Sequence, residues 1–142
     1  MTRALVGITV KSLQALGESE VTVAQFRLLL ALDGLGRVPS STLASALGMV
    51  ASSVTRLVDR LKAVGLVDRG TDERNRSIVT VEVTEAGRDL VTAVLERRHL
   101  LLAAVLDTMD PQEREAATAV ARAFTLLAGD AVALGAAGPV PV

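Results

Sequence analysis

The stretch that decides the fold is Leu43–Leu61, LASALGMVASSVTRLVDRL. Two short helices that cross tightly need a small residue at the crossing, a turn residue that tolerates a left-handed backbone, and an apolar residue on the second helix. Ala44, Gly48 and Val54 fill these roles at intervals of four and six residues, the spacing of a helix-turn-helix. At roughly 100° per residue, Val54, Leu57, Val58 and Leu61 form the buried stripe of the second helix. Ser52 and Arg56 then point most directly away from the core, flanked by Thr55, Asp59 and Arg60. Hydroxyls and arginines on an outward face suit the major groove, where Arg bonds guanine and Ser or Thr bond bases or phosphates. Taken alone, the same pattern also fits an ordinary helical hairpin with a solvated Ser/Arg face.

The residues beyond Gly65 separate the two readings, because there the period changes from helical to two-residue. Val79, Val81 and Val83 alternate with Thr80 and Glu82, the pattern of a half-buried strand. Leu66–Arg69 reads as its partner, and GTDERNRS (Gly70–Ser77) as the loop of a hairpin. A hairpin directly after a helix-turn-helix is a wing. Its loop carries Arg74 and Arg76, placed to reach a minor groove, with Arg69 on the strand beneath.

Outward from this centre the chain reads as helices. Leu5, Ile8, Leu13 and Leu16 predict a first helix over about 4–16. Thr22 and Gln25 form a capping box ahead of Phe26, Leu29, Leu30 and Leu32, and Gly34 and Gly36 end that helix. A short helix is predicted over about 40–47, then the turn at Gly48 and a helix over about 51–64. Thr84 caps a long helix to about Leu106. Asp110-Pro111-Gln112-Glu113 supplies an N-cap, a proline at the first helical position and a glutamate at the third, opening a last helix to about Val132. The tail, GAAGPVPV over 135–142, reads as disordered. The fold expected is mostly α with a small β-hairpin wing, one domain over 1–134. In it about 37–84 would form the DNA-binding part, flanked by dimerisation helices over about 4–16 and 85–132.

Composition agrees with this. The two Phe residues are the only aromatics, so the core must be Leu, Val and Ala. There is no cysteine, which excludes disulfides, thiolate metal sites and thiol redox sensing. The longest apolar run, Leu100–Leu106, is far short of the roughly 20 residues that span a bilayer, and the N-terminus does not read as a signal peptide. A cytoplasmic protein is expected, associated with the nucleoid through DNA and not with a membrane. The net charge of −1 hides an uneven distribution. Residues 36–78 carry seven basic and four acidic side chains, a net of +3, whereas 79–142 carry five and nine, a net of −4. A positive middle on a negative frame binds phosphates while limiting non-specific adhesion.

From about Leu5 to Val132 the chain resembles the MarR (multiple-antibiotic-resistance regulator) family of winged helix-turn-helix regulators in element order and length. The most specific stretches are VTRLVDRLKAVGLVDR (Val54–Arg69), the wing, and VTEAGRDLV (Val83–Val91). The resemblance implies a homodimer joined through N- and C-terminal helices, a repressor on a pseudo-palindromic operator. In many such proteins a small aromatic, anionic or lipophilic effector releases the DNA. An apolar crevice near Leu13, Leu16 and Phe26 is the place the resemblance gives for it. The residues expected at double-stranded DNA are Ser52, Ser53, Thr55, Arg56, Arg60, Arg69, Arg74 and Arg76. Two positions depart from the family. Asn75-Arg76-Ser77 stands where Asp-Arg-Arg is frequent, so Asn75 can hydrogen-bond but carries no charge to hold Arg76 or Arg56. Val50 stands where a serine-like cap is common, leaving Ser52 or another group to cap the recognition helix, or its end to fray until DNA binds.

No nucleophile–base pair, phosphate loop or metal-ligand cluster is visible, so an enzyme is not expected and no cofactor is implied. His99 is the only histidine and reads as a helix-surface or interface residue. The apolar block Leu100–Leu106 reads as buried in a dimer, with Val94, Leu101, Val105, Val120, Phe124 and Leu127 as contributors. The competing function is a winged-helix protein-interaction module that binds no DNA; the outward Ser52/Arg56 face and Arg76 argue against it.

Overall fold

The computed structural model describes residues 2–14 and 21–133. Helices α1 (Thr2–Gln14) and α2 (Val23–Leu35) are followed by strand β1 (Val38–Pro39), then by α3 (Ser40–Leu47) and α4 (Ala51–Ala63). Strands β2 (Val67–Thr71) and β3 (Val79–Val83) come next, and then the long helices α5 (Glu85–Leu106) and α6 (Pro111–Ala133). The mostly helical, winged architecture read from the sequence is the one found. Leu16 and the tail 135–142 lie outside the described residues, as do the side chains of Leu5, Phe124 and Leu127.

Local chemistry sets the helix starts. Thr22 Oγ1 accepts from Gln25 N at 3.3 Å, while Gln25 Oε1 accepts from Thr22 N at 2.8 Å, a complete capping box. The same reciprocal pair opens α6, where Asp110 and Glu113 exchange bonds of 2.9 and 3.0 Å. Thr84 works harder. Its hydroxyl accepts from Gly87 N at 3.1 Å and donates to Gly65 O at 2.7 Å, and its amide donates to Leu66 O at 3.1 Å. The start of α5 is thereby tied to the turn between α4 and β2.

Helix α2 is apolar on nearly every side and is accordingly the central helix. Its Leu28, Leu29, Ala31 and Leu32 are fully buried. Leu43 and Leu47 of α3 pack with it, together with Val54, Val58 and Leu61 of α4, Val81 of β3, and Val91 and Val94 of α5. Arg27 of α2 donates to Leu47 O at 2.8 Å, closing the carbonyl end of α3. The position of Val94 corrects the sequence reading: it is fully buried within the protomer and is not available to a partner.

The sheet differs from the expected hairpin. It has three strands in the order β1-β3-β2, antiparallel throughout, with Val38 opposite Val81 and Pro39 opposite Thr80. A two-residue strand ending in proline is too short to show a period, and proline is tolerated there because β1 is an edge. Burial along β3 also departs from the simple alternation. Val81 and Val83 are buried as expected, but Thr80 is buried and Val79 is 46% exposed. Arg37 lies over Thr80, its Nε donating to Thr80 Oγ1 at 3.1 Å, whereas Val79 pairs with Thr71 at the outer end of the sheet. β2 extends to Thr71, two residues beyond the expected strand, which shortens the wing loop.

Candidate nucleic-acid interface

The helix-turn-helix is built as its spacing requires. Gly48 adopts φ 61°, ψ 35°, a left-handed conformation that a side chain would strain, and its amide donates to Ser45 O while Met49 N donates to Ala44 O. The chain bends by 109° between α3 and α4, with Ala44 buried at the crossing and Val54 fully buried beneath it. Ser52, Thr55, Arg56, Asp59 and Arg60 are exposed on the opposite face, and Ser53 is half-buried.

The start of α4 carries no side-chain cap. Val50 occupies the N-cap position with extended backbone and 68% exposure, and its carbonyl accepts from Ser53 N and Val54 N. Ser52 does not substitute for it, so the first-turn amides of α4 keep no side-chain acceptor. Thr55 turns its hydroxyl back onto Ala51 O at 3.0 Å, whereas Arg56 Nη2 lies 3.5 Å from Ser53 Oγ and its guanidinium remains outside.

The wing tip is organised by two short side chains. Asp72 Oδ1 accepts from the amides of Arg74 (2.9 Å) and Asn75 (3.0 Å), and Asn75 Oδ1 accepts from Ser77 N at 3.0 Å. Backbone bonds from Asp72 N to Ile78 O and from Ile78 N to Asn75 O close the loop. Asn75 therefore contributes backbone geometry where a charge is frequent in the family, and the guanidinium groups of Arg74 and Arg76 are left exposed.

The seven basic side chains of residues 36–78 divide into two groups, which the sequence alone did not reveal. Arg37 faces Glu82 at 4.0 Å, Lys62 pairs with Asp68 at 3.2 Å, and Arg69 pairs with Asp59 at 2.7 Å. Arg56, Arg60, Arg74 and Arg76 enter no ion pair among the described residues. The unneutralised charges thus sit on the outer face of α4 and at the wing tip. Asp68 accepts from its neighbour's amide, Arg69 N, and from Lys62, which together hold its carboxyl below the usual carboxylate range. No three carboxylate or imidazole groups among the described residues are placed to hold a metal ion, and no single helix among them is long and apolar enough to cross a membrane.

Known proteins share this arrangement. The family model described as the MarR family matches residues 19–76. The solved structure of RV1404 from Mycobacterium tuberculosis superimposes with a TM-score of 0.80 at 34% identity, covering 90% of this chain and 87% of that one. The chain belongs to the MarR family. YfiV of Bacillus subtilis, described as an uncharacterized HTH-type transcriptional regulator, is 31% identical over 97 residues. That match spans 68% of this chain and 61% of YfiV, less than two thirds of that protein's length. MdtR of the same species, a transcriptional repressor, is 27% identical over 101 residues, 71% of this chain and 65% of MdtR. A structure describing regulation of DNA binding of Bordetella bronchiseptica BpsR by 6-hydroxynicotinic acid is 27% identical, with a TM-score of 0.60 and coverage of 87% and 89%.

The relatives YfiV and MdtR are described as HTH-type transcriptional regulators. Within this MarR fold, the residues singled out for DNA in the sequence fall in three places. Ser52, Ser53, Thr55, Arg56 and Arg60 share the outer half of α4, Arg74 and Arg76 occupy the wing, and Arg69 turns inward toward α4. Leu13 and Phe26 are buried in the protomer core, 6% and 4% exposed.

Proposed function

We propose that the protein is a homodimeric repressor that binds a pseudo-palindromic operator in double-stranded DNA through α4 and the wing. The observation that carries this reading is the segregation of charge. Among the basic residues of 36–78, those without acidic partners among the described residues, Arg56, Arg60, Arg74 and Arg76, are the ones on the two elements that meet DNA in a winged helix. Residues 37–84 form the DNA-binding part, and α1, α5 and α6 join two copies. Support for a dimer comes from the distal half of α5 and from α6, where Leu100 is 59% exposed, Val120 63% and Leu126 84%. Water-facing apolar side chains on two adjacent long helices call for a partner surface.

Repression follows the example of MdtR, and regulation of DNA binding by a small aromatic acid the example of BpsR, which we take here as release. With Leu13 and Phe26 closed into the core, an effector entering beside them would have to part α1 from α2 and α5, which gives it leverage over the DNA-binding part. Selection of bound duplexes from a random pool tests the proposal. A recovered palindrome with half-sites roughly one helical turn apart supports it. Failure to retain any duplex at low salt would leave a winged-helix protein-interaction module instead.

A further inference from the structure

Charge and position group Arg69 with the DNA-contacting arginines, but its surroundings differ from theirs. Its side chain is 29% exposed, its Nη1 lies 2.7 Å from Asp59 Oδ1, and its Nη2 donates to Thr55 O at 3.3 Å. Its Nε is buried without a partner. A phosphate ligand offers its N–H groups to solvent, whereas here Nη1 faces Asp59, Nη2 donates to Thr55 O and Nε is enclosed. From the DNA-binding reading above we infer that Arg69 is a positioning residue: it clamps the recognition helix to the wing and so sets where Arg56 points.

The geometry is specific. Thr55 immediately precedes Arg56, and Asp59 lies one turn further along the same helix, so the two points gripped by Arg69 bracket Arg56. The grip comes from β2, the strand that leads into the wing loop. The planar guanidinium meets a carboxylate in a close ion pair and a carbonyl in a hydrogen bond at once, which an ammonium cannot match. Lys62 and Asp68 form a second α4–β2 pair of opposite polarity lower on the helix. That pair is exposed, lies beyond Arg56, and makes no bond to the α4 backbone.

The test is a salt series of binding to a selected operator and to scrambled duplex, using Arg69→Met, Arg69→Lys and Asp59→Ala. Arg69→Met retains most of the packing stem and removes the charge. It should lose about tenfold on the operator and much less on scrambled DNA, with an unchanged slope of log K against log salt. Asp59→Ala removes a negative charge near DNA, so simple electrostatics calls for tighter binding; positioning calls for the same loss of discrimination as Arg69→Met, and the double variant should lose no more than either. Arg69→Lys should recover only part of the discrimination. Equal weakening on both duplexes, with a slope lower by about one contact per protomer, would instead make Arg69 a phosphate ligand. Amide exchange of the free protein gives a readout that needs no DNA. Arg69→Met should speed exchange over residues 55–60, and an unchanged pattern there would overturn the clamp even if the wild-type protein bound no duplex at all.

Discussion

The Leu66 carbonyl sits directly against the Cα of Gly87, so that a Cβ on residue 87 would overlap that oxygen and crowd Val83 Cγ2. The carbonyl cannot retreat, because Thr84 N already holds it. Alanine for glycine in a helix ordinarily stabilises by about 1 kcal/mol; here the sign reverses. Gly87→Ala should cost about 1–3 kcal/mol through overpacking. Gly70→Ala provides the contrast, since its added Cβ overlaps the flexible end of Arg37 and otherwise comes only within 3.3 Å of Thr80 Oγ1. The cost there should be near the 0.5–1.5 kcal/mol of one hydrogen bond, that of Arg37 to Thr80. Urea unfolding of both variants checks the order.

Val50 leaves the recognition helix uncapped, and replacing it tests the balance between stability and binding. Val50→Ser and Val50→Asp should each add about 0.5–2 kcal/mol by accepting a first-turn amide bond. Both also remove an apolar side chain from water. The two should part company on DNA: the serine variant keeps its affinity, whereas the aspartate places a negative charge where a phosphate would lie. Thermal unfolding and operator binding, measured side by side, decide it.

Asp72 is acidic beside the two arginines of the wing loop, and its task is backbone geometry. Removing it by Asp72→Ala raises the net charge of the wing yet should weaken operator binding by about three- to tenfold, because Arg74 and Asn75 lose the acceptor that orders their amides. Tighter binding across all duplexes would show that charge outweighs order at the wing.

Dimerisation through α5 and α6 should be constitutive. Sedimentation at low micromolar concentration should give about twice the chain mass of 14.8 kDa. Val105→Asp combined with Val120→Asp should give a monomer with unchanged helix content, since both side chains are about half exposed or more in the protomer. A wild-type monomer under these conditions would rule out the dimeric reading.

Most of the fold was legible because its punctuation is chemical. Thr22, Gly48, Thr84 and Asp110 mark helix boundaries by hydrogen bonds or backbone conformations that residue type alone dictates. Strand β1 was not legible: two residues carry no period, and their pairing depends on β3, which lies some forty residues on. The exposure of Val79 was not legible either, since alternation shows which face a residue takes but not that Val79, paired with Thr71, lies at the outer end of the sheet. In the candidate site, the outward face of α4 could be read from helical geometry. The division of the basic residues could not, because Arg69 and Asp59 meet only once β2 packs on α4. Val94 was misassigned because an apolar position on a long helix fits a protomer core and a dimer seam equally well.

The division of labour between Arg56 and Arg76 is the sharpest consequence of the site. Arg56 stands exposed near the middle of α4, loosely held by Ser53, free to donate two parallel bonds to guanine in the major groove. Arg76 stands on a loop fixed by Asp72 and Asn75; in the proposed DNA-bound state it would sense minor-groove width and potential rather than a unique base pattern. Arg56→Ala should therefore cost about 1–3 kcal/mol on the best operator and flatten discrimination at one position in each half-site. Arg76→Ala should weaken binding to most sequences alike and make log K less steep against log salt by about one contact per protomer. In a symmetric dimer both effects are doubled on a full operator. Measuring both variants on operator and scrambled DNA over a salt series separates the roles. Full sequence discrimination by Arg56→Ala would remove α4 from base reading, and an unchanged salt slope in Arg76→Ala would remove the wing from the phosphate backbone.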